Sequence, residues 1–283
     1  MKNNTRTGLL LIMIGLALGI ISNIALYFVN FDVDIDNIDD IYISMAPAIL
    51  FMVIGAIISL IGGILIITGR EDYGERHSKF VIYAIVIFVI NFFIAIILSS
   101  ISSAMDPANS FMLFSKPTLA DYEPIILLTV VSSVISAILG GLTYVFLFYH
   151  LESDNGRILL FTAYFISLVV AIVVAIYNHA VFTEMMRDLL ASNTVDSSTV
   201  SQATSQLSNM SKAAIFSSIS AILFIWAAYI PYKRIKTGEL KPVLPKHLKR
   251  CMNCGRVTPS DSVVCAYCGS KIINYDHDNN MRY

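Results

Sequence analysis

The sequence predicts an all-α integral membrane protein, a six-helix transmembrane bundle followed by a small cysteine-bearing C-terminal module. Three observations carry this. Apolar residues make up 56% of the chain, charged residues 14%, and the mean hydropathy is +0.71. A soluble domain averages about 45–50% apolar and about 25% charged, so a water-soluble fold could not hide this much apolar surface. Six long stretches contain no Asp, Glu, Lys or Arg, and all four cysteines lie between positions 251 and 268.

The six stretches are placed at 8–29, 45–68, 81–98, 125–149, 158–182 and 213–232. A spanning helix needs about 20 largely apolar residues, because lipid offers no partner for backbone N–H and C=O groups. Continuous apolar runs of this length do not alternate as barrel strands do. The first run follows Lys2 and Arg6, as a signal peptide would. At about 22 residues it exceeds the 7–15 of a signal-peptide core, and no clear small-x-small cleavage site follows, so a retained span is expected.

Orientation follows from Lys and Arg. With the N-terminus inside, 16 of the 19 basic residues fall in inner segments; only Lys116, Arg187 and Lys212 fall outside. Of the 20 acidic residues, 11 fall outside. The positive-inside rule then puts both termini in the cytoplasm and the protein in the cell membrane. Trp226, Tyr229 and Tyr232 stand before Lys233 and Arg234, and Tyr144, Phe146, Phe148 and Tyr149 close the fourth span. Aromatic rings prefer headgroup depth, so these are interface anchors. Tyr27 and Phe28 mark the outer end of the first span in the same way.

The outer segments differ. The segment 30–44 is acidic; 99–124 carries Pro107, Pro117 and Pro124 and is expected to lie partly on the membrane surface. In 183–212, Val200, Ala203, Leu207 and Met210 recur at three to four residues, which predicts that the sixth helix continues outward beyond the bilayer. Asn209-Met-Ser211 has the form of a glycosylation sequon, a tripeptide common by chance. Gly62-Gly63 and Gly140-Gly141 each precede a charged loop and a span, a weak sign that spans two–three and four–five are related hairpins. Gly15-x-x-x-Gly19 and Ser136-x-x-x-Gly140 have the spacing of close helix crossings.

The cysteines form two Cys-x-x-Cys-Gly pairs: Cys251, Cys254 and Gly255, then Cys265, Cys268 and Gly269. Each pair supplies two thiolates from one tight turn, and tetrahedral Zn²⁺ takes four. A glycine after the second cysteine lets that turn adopt a positive φ. The ten residues between the pairs suffice for a short hairpin with 259–262 as its tip. Clustered cysteines in a reducing cytoplasm favour metal over disulfides. The residues resemble the zinc-ribbon family over about 25 positions. That resemblance implies one structural Zn²⁺ held by Cys251, Cys254, Cys265 and Cys268, with no chemistry at the metal; iron is the less favoured ion. The whole pattern is also similar to prokaryotic, often archaeal, multi-pass proteins bearing terminal zinc ribbons. The domain plan is therefore a membrane domain at 1–232, a basic cytoplasmic linker at 233–250, a small C-terminal β zinc ribbon at 251–273 and a flexible tail at 274–283.

Other polar residues invite plainer readings. His179 and His150 read as interfacial histidines, and His247 as a bystander to a filled metal shell. No acid or base lies inside a span, where ion-coupled pumps place them. Intramembrane-protease and nucleotide motifs are absent. Asn23, Asn91, Ser132, Ser133 and Ser136 suit helix–helix hydrogen bonds. The linker has seven basic residues and one acid, Glu239, which favours anionic lipid headgroups over nucleic acid. The sequence thus points to a non-enzymatic membrane protein whose ribbon docks a cytoplasmic partner. The alternative is a transporter or channel for a neutral or weakly polar small solute. Nothing opposes an oligomer.

Overall fold

A computed structural model describes residues 4–29, 38–105, 118–191, 197–243, 248–259 and 261–271. The chain divides into two compact units, Met1–Leu240 and Lys241–Tyr283. The expected surface segment around Pro107 and Pro117, most of the acidic 30–44 segment, His247 and the tail 274–283 lie outside the described residues.

The first unit is helical: α1 (Asn4–Tyr27), α2 (Ile38–Thr68), α3 (Glu75–Met105), α4 (Leu119–Phe148), α5 (Asp154–Ala191), α6 (Ser197–Ala213) and α7 (Ser217–Lys236). Six helical stretches are long and apolar enough to cross a membrane, the last formed by the end of α6 and α7 together. This is the make-up of a multi-pass membrane protein. Large apolar side chains stand exposed along the bundle, among them Leu50 and Leu60 on α2, Phe92 and Phe93 on α3, and Phe165 and Ile176 on α5. So much continuous apolar surface suits lipid and not water.

The helices outrun the apolar stretches that mark them. α5 has 38 residues, about 57 Å at 1.5 Å per residue, against a hydrocarbon core of about 30 Å. Its far end packs against α6, where the Gln202 amide donates to Asp188 at 2.6 Å. The outward continuation of the last span is thus present as α6, joined to α7 through the short turn Ala214–Phe216. Asn209-Met-Ser211 lies inside helical α6 and not in the surface loop a glycan acceptor occupies. Pro124 sits within α4, not in the loop before it. The helix starts at a capping box, in which the Asp121 carboxylate accepts from the Thr118 N–H at 2.7 Å and from its hydroxyl at 2.8 Å.

Packing runs α2 on α1, α1 on α7, α7 on α5, α5 on α4 and α4 on α3; α2 and α3 scarcely touch along their lengths. The α1–α2 contact is the closest. A Cβ on Gly8 would collide with the Gly62 carbonyl and one on Gly62 with the Gly8 carbonyl; Gly15 and Gly55 oppose each other in the same way. The close crossing therefore uses glycines seven apart on each helix. Gly15 and Gly19 both face Gly55, whose Cβ position lies 2.8 Å from the Gly15 carbonyl and 3.6 Å from the Gly19 nitrogen, whereas Gly140 meets nothing. Gly141 instead accepts the Tyr164 ring of α5. The two suspected hairpins consequently differ: Gly62 packs on α1, outside its own hairpin, while Gly141 packs on α5, within its own. Further along, Ser22 donates to the Ala48 carbonyl at 2.8 Å and the Asn23 amide to Ser218 Oγ at 3.2 Å.

At the end of the bundle where α1 begins and α7 finishes, the tail side, polar and aromatic groups knit the connections together. Thr5 donates to the Gly69 carbonyl at 3.2 Å, and Arg6 lies over Tyr232. A ladder of rings, His77, His150, Phe80 and Tyr149, joins the start of α3 to the α4–α5 turn and ends under the Arg157 guanidinium, 4.9 Å from the Tyr149 ring. His150 is thus a stacked ring at the bundle end.

Gly62→Val is expected to force α1 from α2 and to cost about 1–3 kcal/mol, as overpacking does. Gly63→Val, beside open space, is expected to change stability by less than about 0.5 kcal/mol. Thermal unfolding of the detergent-solubilised protein checks both.

Candidate metal centre

In the second unit, β1 (Leu248–Arg250) pairs antiparallel with β2 (Val257–Pro259), with Lys249 opposite Thr258. These strands enclose the first cysteine pair. The hairpin expected between the pairs is therefore displaced: each Cys-x-x-Cys is itself the turn, so strand pairing flanks it. Around the second pair, Val264 bridges Lys271. Past β2, the Ser262 N–H donates to the Pro259 carbonyl at 3.2 Å.

The two turns repeat one pattern. The first cysteine's N–H donates five residues ahead, Cys251 to the Arg256 carbonyl at 2.8 Å and Cys265 to the Ser270 carbonyl at 2.9 Å. The glycine N–H returns to the first cysteine's carbonyl, Gly255 to Cys251 at 2.8 Å and Gly269 to Cys265 at 2.9 Å. Closing that loop requires φ of +71° at Gly255 and +69° at Gly269. No neighbour lies within 4 Å of either Cβ position, so backbone conformation and not space demands glycine.

This geometry brings the four sulfurs together, all within 4.8 Å of one another. Cys251 Sγ is 3.6 Å from Cys268 Sγ, and Cys254 Sγ is 3.6 Å from Cys265 Sγ. A disulfide spans about 2.05 Å, so these cysteines are free. A tetrahedron of thiolates about 2.3 Å from a central ion has edges of about 3.8 Å, so the cluster has the size a metal ion needs. Cys251 and Cys265 are buried, Cys254 and Cys268 exposed. Ser270, first through its hydroxyl 3.3 Å from the sulfur and then through its backbone, holds the Cys268 thiol low, at about 6. That favours the thiolate a metal binds.

Outer contacts tie the turns to each other. The Asn253 amide donates to Ser270 Oγ at 2.7 Å, and the Arg256 guanidinium lies 4.8 Å over the Tyr267 ring. Gly255, Arg256, Val257 and Tyr267 line a shallow cleft of about 440 Å³. Among the described residues of this unit Cys251, Cys265 and Thr258 are buried, while Met252, Val263, Val264 and Tyr267 are exposed. A unit this small gains from a staple, and the four thiolates are placed to supply one.

Among the described residues this is the one group of His, Cys, Asp and Glu able to hold a metal. His179 stands half-buried on α5, apart from any such group. The expectations from sequence missed Glu152, which is buried in the α4–α5 turn. Its position in the short loop, three residues past the predicted fourth span, is that of ordinary loop charge, and no local pattern marks it. Comparison with protein-family models, curated proteins and solved structures finds no match.

The isolated second unit is expected to carry one metal ion per chain by elemental analysis. Retention should hold at neutral pH and fail on acidification, because protons compete with the metal for the thiolate ligands. Gly255→Ala is expected to cost about 1–2 kcal/mol of left-handed strain, read as weaker metal retention in a chelator titration.

Proposed function

We propose that this is a non-enzymatic multi-pass membrane protein that displays a structural zinc ribbon to a cytoplasmic protein partner. The observation that carries this reading is the four-sulfur cluster. Four thiolates fill a tetrahedral shell, so the metal keeps no position open for substrate and serves structure alone. Zinc is preferred to iron because a closed Cys₄ shell in a small module is its commonest structural use. Around that shell the module presents Met252, Val263, Val264 and Tyr267 outward, side chains that gain from being covered. The bias of basic residues supports cytoplasmic termini. The basic segment from Lys233 supports contact with anionic lipid at the same surface.

The transport reading draws less support from the mid-span polar groups. Asn23 is paired with Ser218 across a helix contact, and Ser133 returns its hydroxyl to the Thr129 carbonyl at 2.9 Å on its own helix. Groups engaged in this way offer little to a solute, although the Asn91 side-chain oxygen has no partner among the described residues.

Capture from lysate with the full chain in nanodiscs, beside a Cys251→Ser, Cys254→Ser variant, tests the reading. A partner recovered by the native protein and lost with the metal is expected; equal recovery by both would remove the ribbon as the docking element.

A further inference from the structure

The α4–α5 turn holds an acid that nothing above uses. Glu152 is 3% exposed, and neither of its carboxylate oxygens has a hydrogen-bond partner among the described residues. It lies against Gly156 in the first turn of α5, where any Cβ would collide with the carboxyl group. Two guanidiniums stand close, and both are engaged elsewhere. Arg157, from α5, pairs with Asp154 at 3.1 Å and lies over Tyr149. Arg234, from α7, donates through one terminal nitrogen to the Leu151 carbonyl at 2.7 Å and through Nε to Glu239 at 2.7 Å. Beyond them His150 faces Arg157, Arg76 and His77, and burial, then those two arginines, hold it toward its neutral form.

A buried carboxylate without donors is costly, and a neutral carboxyl group is far less so. Burial, only partly opposed by Arg234 and then Arg157, pushes the Glu152 carboxyl up to about 8. Arg234 also governs where the chain leaves the bundle. Its carbonyl accepts from the Leu240 N–H at 3.1 Å, and its side chain holds Glu239 in the turn after α7. The Glu239 carboxylate is 59% exposed, so that ion pair is a weak one. An ionised Glu152, in a drier setting, attracts the same guanidinium more strongly.

We infer that Glu152 is a proton-operated latch on the segment leaving the bundle: protonated, it leaves Arg234 tied to Glu239; ionised, it draws Arg234 inward and frees the turn at 237–240. The proton goes to solvent on the tail side, and no other reactant is needed. The folded state binds this proton more tightly than the unfolded chain does. The stability it contributes is therefore complete below the ordinary carboxyl value of 4.5 and is lost as pH rises through about 8.

Hydrogen exchange of the amides at 237–240, in the full chain in nanodiscs and corrected for the intrinsic pH dependence of exchange, tests the latch. In the native protein, protection is expected to fall with a midpoint near pH 8. Glu152→Gln should keep the segment protected across the range. Glu239→Gln, an exposed change that leaves the bundle and the backbone bonds of the turn intact, should lower protection below that of the native protein at pH 6.5 and abolish the step near pH 8. A native transition that persists in either variant, or uniform protection of the native protein from pH 6.5 to 9.5, would overturn the proposal.

Discussion

Hydrocarbon offers nothing to a backbone N–H or C=O, and the rest of this protein follows from that fact. Each crossing must close its own hydrogen bonds, so the membrane unit is a set of long helices. Polar side chains inside the bundle are few; some, such as Asn23 with Ser218, join one helix to another, and others, such as Ser133, return to a carbonyl of their own helix. Charged groups and chain reversals are pushed to the ends, where water is available. The tail side illustrates the result: Thr5, Arg6, Arg157, Arg234 and the ring ladder concentrate the specific contacts there, while the flanks carry only lipid-compatible side chains.

Association of such helices cannot draw on the hydrophobic effect, because lipid is as apolar as leucine. Closeness must supply the energy instead. The α1–α2 pair shows how, with Gly8 against Gly62 and Gly15 against Gly55 letting backbones meet. α3 lacks such a contact with α2 and rests chiefly on α4 through Phe80, Phe146 and Tyr149. The second unit solves a different shortage. A unit this small gains from a staple, and its organisation centres on four sulfurs held by two identical glycine-closed turns.

Much of this was legible in the residues. Length and apolarity mark six crossings, and the span positions differ from the helices mainly because helices continue past the hydrocarbon, as α5 and α6 do. The paired Cys-x-x-Cys-Gly pattern locates the sulfur cluster because each turn is local, closed within six residues. The hairpin was misplaced because strand pairing around the turn depends on Val257 meeting Arg250, which spacing alone does not reveal. The partners of the glycines needed the packing: several glycines share each helix, and only the structure sets Gly8 against Gly62 and Gly15 against Gly55 and leaves Gly140 without a neighbour.

The sequence by itself determined the class of protein, the crossings and the four-cysteine cluster able to hold a metal. Those rest on composition and on spacing within one turn, quantities that survive without a fold. The tertiary structure decided which helix faces which and which small residues allow contact. It also showed that Glu152, one acid among 20, is buried in the α4–α5 turn against Gly156 with its oxygens unmatched. Burial and missing partners are properties of surroundings assembled from distant parts of the chain, and Arg234 of α7 reaches the neighbouring Leu151 carbonyl only when the helices between them have packed.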